Sequence, residues 1–178
     1  MSRRRTLQRV LFAVAAFLVC SCVVVGGYSH RGAPGGVVTG GIDLYGERYV
    51  VGYQQGLSVH AEMEGSALSF HGDLHGGWTS RSVHEMGAGD VMLSVLAYAG
   101  VARTIGDVYG DSTFPIGLGL TGMLRISECR AVTLTPRYNY HFGDELAASR
   151  SHELLITIGY RWDQKSEDPD AIFGRRCI

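Results

Sequence analysis

Two groups of residues have the types and spacing for chemistry. Ser149, Ser151, His152 and Glu153 lie close together late in the chain, and His141 stands shortly before them. A hydroxyl, an imidazole and a carboxylate are the parts of an activated nucleophile and its base. Geometry rather than residue type defines such a site, and no motif places these residues in catalytic roles. A polar loop beside a strand end accounts for them more simply, so the sequence predicts a chain that is not an enzyme.

The second group is His60, His71, Asp73 and His75. If Gly65-Ser66 forms a two-residue hairpin turn, His60 sits across from His71 and the two imidazoles converge on one face. They are then candidate ligands for zinc or copper. His75 is two pleats from His71, too far to reach the same ion. Polar filling of an interior is the competing account, and no cofactor is expected. The glycines near Leu118 and Gly119 make no phosphate loop, since no lysine follows them, and no dinucleotide motif is present.

The elements that must carry these residues alternate with period two, as strands do. Leu57, Val59, Ala61 and Met63 alternate with Ser58, His60, Glu62 and Glu64. Leu68, Phe70, Leu74 and Trp78 alternate with Ser69, His71, Asp73 and His75. Later stretches repeat the pattern, placing Arg125, Arg137, Glu153 and Arg161 on the polar side. The apolar side carries Trp78, Tyr138, Tyr140, Phe142, Tyr160 and Trp162 near strand ends, the layout of an aromatic girdle.

The runs are long enough to span a bilayer as tilted strands, which need about 9–11 residues. Eight are predicted, at 37–45, 48–53, 56–64, 67–78, 90–103, 114–127, 131–142 and 151–162. The even count suits an all-β, antiparallel, up-and-down transmembrane barrel. The link 79–89 is longer than the periplasmic turns of such barrels.

Composition agrees. With 25 glycines among 178 residues, a long helical bundle is disfavoured. All 17 acidic residues lie beyond the first 25 positions, and the mature part is net acidic, which excludes a nucleic-acid partner. Only Lys165 is a lysine, so nearly every cation is arginine, suited to carboxylate pairing in confined places.

Residues 1–27 read as a signal peptide, with four arginines before an apolar run from Val10 to Val25. Val19-Cys20-Ser21-Cys22 resembles a loosened lipoprotein box ending at Cys22, while Val25-Gly26-Gly27 offers ordinary cleavage. Residues 28–36 then form a linker, 37–162 the barrel, and 163–178 a periplasmic tail. Cys129 and Cys177 fall on the same side of this barrel and are the candidates for a disulfide in an oxidising compartment.

The leader, the glycine-rich amphipathic strands and the closing run Leu154-Leu155-Ile156-Thr157-Ile158-Gly159-Tyr160-Arg161-Trp162 together resemble the small outer-membrane barrel proteins of the OmpA and OmpW type. The resemblance implies an outer-membrane location, lipids as partners, and recognition of the aromatic-ended last strand by the barrel assembly machinery. It implies a narrow, porin-like channel for small or apolar solutes, or a cell-surface adhesion or structural role toward extracellular ligands. Glu62, Asp73, Arg125, Arg137, Glu153 and Arg161 would form a polar network in its lumen. Period two does not say which way the apolar face points. The alternative is therefore a soluble, lipocalin-like (lipo)protein binding a small apolar ligand inside.

Overall fold

The computed structural model describes residues 23–62, 65–105, 112–127, 129–143 and 151–162. Eight strands follow one another: β1 (Val23–His30), β2 (Pro34–Tyr45), β3 (Tyr49–Glu62), β4 (Gly65–Thr79), β5 (Val91–Ile105), β6 (Ser112–Ser127), β7 (Arg130–Phe142) and β8 (His152–Trp162). Each pairs antiparallel with the next, and β1 pairs with β8, closing the barrel. Val23 of β1 is in register with Arg161 of β8, so the start of β1 and the end of β8 lie at one mouth. We call it the terminal mouth and the opposite end the distal mouth.

The alternation decides inside from outside. Leu74, Leu118 and Ile158 project outward and are 62–65% exposed, while Asp73, Met92 and Met123 on the other face are 1–2% exposed. An apolar belt of that extent greatly exceeds the few hundred Å² a water-soluble monomer presents. The apolar face therefore points to lipid, and the lipocalin-like alternative, which needs it inside, is set aside.

Three local expectations are corrected. Strand β3 runs unbroken through Gln54-Gln55, where a turn had been placed between strands 48–53 and 56–64. Two polar side chains, one directed inward and one outward beside Tyr53, do not break a ladder whose backbone stays paired with both neighbours. The eighth strand is instead β1, formed by residues given to the leader and the linker, so the barrel starts at Val23 rather than Val37. At the β3–β4 hairpin the paired ends are Glu62 and Gly65, so the turn precedes Gly65-Ser66. Gly32, with φ of 72°, supplies the left-handed residue that the tight β1–β2 turn demands.

The long link between β4 and β5 folds back as a plug. Its 3₁₀ turn, Val83–Glu85, puts Val83 and Met86 against Met92, Met123 and Ala131, with Tyr45 packed beside them. Val50, Leu96 and Tyr98 continue this apolar filling further in. Arg125 fixes the plug: its guanidinium donates to the Met86 carbonyl, and its own backbone exchanges hydrogen bonds with Gly89 and Asp90 at 2.8 and 3.0 Å. Asp90 accepts from Gly87 N at 2.8 Å and pairs with Arg81 at 3.1 Å. The Gly87 amide, aided by Arg81, holds the Asp90 carboxyl below its ordinary range.

Candidate functional site

The distal half of the lumen holds a continuous polar cluster. Asn139 on β7 and Glu153 on β8 are directly in register, and both point inward. The Glu153 carboxylate receives Asn139 Nδ2 at 2.7 Å, Ser29 Oγ at 2.8 Å and His141 Nε2 at 2.9 Å. The far nitrogen of His141, Nδ1, lies 3.0 Å from Thr113 Oγ1. Ser29 Oγ is also 2.9 Å from His60 Nε2. Two hydroxyl–imidazole contacts therefore share one carboxylate.

A second layer leads inward. Arg137 Nε donates to Asn139 Oδ1 at 2.6 Å, and its Nη1 donates to Asp73 Oδ2 at 2.9 Å. Its guanidinium lies over the Tyr98 ring, 3.8 Å from the centroid, a cation–π contact in a site shielded from solvent. Gly100 is required here because a Cβ would strike Asp73 Oδ1. Between the layers is a cavity of about 20 Å³, bordered by His71, Asp73, Arg137, Asn139, His141 and Glu153. That is room for an ordered water with several polar partners.

Nearer the terminal mouth, Asp43 receives Arg161 Nη1 at 2.7 Å and lies 2.9 Å from His75 Nε2. Arg161 also packs over the Tyr45 ring at 4.4 Å.

Of the residues singled out from sequence, Asp73 and Arg137 meet each other, and Arg161 meets Asp43, which had not been named. Arg125 points inward and grips the carbonyls of Met86 and Ser127. The Glu62 side chain lies outside the described residues. The metal reading fails on register: His60 is opposite Ala67, and His71 is opposite Gly56, because the hairpin turn comes earlier than Gly65-Ser66. Among the described residues no cluster of three metal-ligating side chains forms.

The late cluster is divided by the pleat. His141 and Glu153 meet inside, whereas His152 faces outward, and Ser149 lies outside the described residues. Cys129 is disulfide-bonded, its partner lying outside the described residues. Trp78, Tyr138, Tyr140, Phe142 and Tyr160 stand on the outer face, with Trp162 partly covered beside Tyr160. Ser29, Asp43, Thr113 and Asn139 were missed. Alternation alone would have put Asp43, Thr113 and Asn139 in the lumen, but Ser29 lay in a stretch taken for a linker.

No family description matches the sequence, and no curated protein does. Among solved structures the barrel is similar to that of the outer membrane enzyme PagL, with a TM-score of 0.50 and 13% identity over 79% of this chain and 97% of the other. The chain is thus an eight-stranded barrel of the outer-membrane kind. The likeness is one of fold, and it supports a small outer-membrane barrel without selecting the OmpA and OmpW type. It also corrects the expectation of a chain that is not an enzyme. A catalyst is built on this same frame, so a narrow filled barrel without a sequence motif does not speak against catalysis.

Proposed function

We propose that the protein is an outer-membrane barrel enzyme, a hydrolase of acyl esters, with its centre in the distal half of the lumen. The observation that carries this is His141, held between the Thr113 hydroxyl at 3.0 Å and the Glu153 carboxylate at 2.9 Å, beside the cavity. Hydroxyl, imidazole and carboxylate in line are the parts of a nucleophilic centre, recognised by geometry and not by position in the sequence. Thr113 is the nucleophile, His141 Nδ1 takes its proton, and Glu153 orients the ring and stabilises the imidazolium. Asn139 and Ser29 fix Glu153, and Arg137 supplies positive charge to the same cavity. Thr113 is 1% exposed, so attack on a substrate requires the side chains packed over its hydroxyl to move aside.

The apolar belt supports an outer-membrane setting, with the terminal mouth periplasmic as in barrels of this kind. It also supports lipids and the barrel assembly machinery as partners. A solute channel has less support, because the plug and the apolar lower lumen occupy its path. Because β1 begins at Val23, the leader is proposed to end at or before Cys22, and Cys177 is proposed as the partner of Cys129.

The test uses the refolded barrel in detergent micelles with a panel of p-nitrophenyl esters, and mass spectrometry to locate an acyl adduct. Turnover that His141→Gln and Glu153→Gln each lower by about 10²–10⁴ is expected. Absence of both turnover and adduct from a barrel shown to be folded by its gel mobility would reject the catalytic reading.

A further inference from the structure

The outer face at the distal mouth carries two tyrosine–histidine pairs that the lumen centre does not use. Tyr138 Oη on β7 lies 2.5 Å from His152 Nδ1 on β8, and the Tyr140 ring meets the same imidazole edge-on at 5.3 Å between centroids. On β1, Tyr28 Oη lies 3.3 Å from His30 Nδ1, with the rings stacked at 6.4 Å. All of these side chains are exposed on the outside of the barrel. Each tyrosine hydroxyl contacts Nδ1 and so sets the tautomer: with the phenol donating to Nδ1, the ring proton sits on Nε2. Both imidazoles then present an N–H donor turned away from their tyrosines.

The barrel register places the two histidines on neighbouring strands. Leu154 of β8 is in register with both His30 and Tyr138. His152, two residues earlier on β8, is therefore the diagonal neighbour of His30, at a separation of about 7–8 Å. Side chains leaning from two such positions can close on one tetrahedral oxyanion. Polar nitrogens facing hydrocarbon without partners are costly, so this patch belongs in the headgroup layer, at the level of the aromatic residues Tyr138, Tyr140 and Phe142. The acceptor available in that layer is phosphate.

We propose that His30 and His152, each oriented by its tyrosine, form a binding site for the phosphate of an outer-leaflet lipid headgroup. The site rests on the membrane part of the function proposed above and is independent of the catalytic part. Native mass spectrometry of the full barrel in neutral-detergent micelles doped with phosphatidic acid tests it. Saturable retention of one lipid is expected, with apparent affinity falling about tenfold or more in the double variant His30→Gln/His152→Gln, as loss of two hydrogen bonds implies.

Tyr138→Phe removes the hydroxyl that orients His152 while sparing the ring, and a smaller loss of affinity is expected. Equal retention by the double variant overturns the site. Equal displacement by inorganic phosphate overturns its assignment to a lipid. Failure of the membrane reading shows separately, as extraction of the chain by carbonate before any lipid is added.

Discussion

The two halves of the lumen solve the same packing problem by opposite means. At the terminal mouth, Val83, Met86, Met92, Met123 and Ala131 fill the space with apolar atoms that need no partners. In the distal half, Glu153, His141, Asn139, Arg137 and Asp73 fill it with groups that each demand hydrogen bonds. The terminal half also holds buried Arg125 and the Asp43–Arg161–His75 group, yet apolar atoms make its seal, so sealing alone does not account for the density of polar groups in the distal half. A buried ionic network is weak evidence for stability and gains its meaning from some other role.

That contrast is broken most severely by orphaning a charge. Arg137→Leu leaves Asp73 buried without its cation and should lower unfolding stability by about 3–5 kcal/mol, read from urea titrations in lipid vesicles. The double change Asp73→Leu/Arg137→Met should restore most of the loss, since apolar pairs commonly replace buried ion pairs at little cost. A double variant as unstable as the single one would mean that the pair itself holds the barrel together.

In the terminal half, Met123→Ala empties space in the plug contact and should cost about 2–4 kcal/mol, with ester turnover unchanged. Loss of turnover there would show that the two halves are coupled. Glu153→Gln retains the shape of the side chain but weakens acceptance from Ser29, Asn139 and His141, and should cost about 1–3 kcal/mol while lowering turnover by about 10²–10⁴. Stability and activity would thus separate according to the half that is altered.

The smallest effect concerns the plug's own surface. Asp90 has its carboxyl lowered in the fold by the Gly87 amide, then by Arg81. A lowered carboxyl contributes stability above its unfolded value, near 3.8, and loses it as pH falls through the folded value. Hydrogen exchange at the Gly87 amide should therefore become less protected in strong acid, and Asp90→Asn should remove that dependence. Unchanged exchange in the variant would mean that the plug is held from Arg125 alone.

Much of the barrel was legible because one rule, period two, assigns every residue of a strand at once. From Leu57 to Trp78 and from Phe114 to Trp162 the inward and outward faces follow the sequence, since a wrong phase would have put Arg137 and Glu153 in lipid, whereas the run 90–103 is apolar on both sides and only barrel closure decides its facing. Boundaries were less legible. Val23 to Gly27 suits a leader and a strand equally well by hydropathy, and only pairing with β8 distinguishes them. The pair Gln54-Gln55 looks like a turn until both neighbouring strands are known. The site was half legible for the same reason: alternation shows that Glu153 points inward, but not that Ser29, from the other end of the chain, meets it at 2.8 Å. Such contacts depend on closure and shear, which no single segment encodes.

The β1–β8 seam also governs the order of assembly. Its two strands are the first and last described. Neighbouring hairpins form from local contacts, whereas the seam must bring together segments separated by nearly the whole chain, the slowest kind of pairing for a folding protein. Until it forms, both edges are open ladders of unpaired amides and carbonyls, the surfaces on which strands of different molecules join. Ser29 and Glu153 lie on the two sides of that seam, so their hydrogen bond cannot exist before closure and reports on the last event in folding. The distal cluster is therefore completed only in a finished barrel.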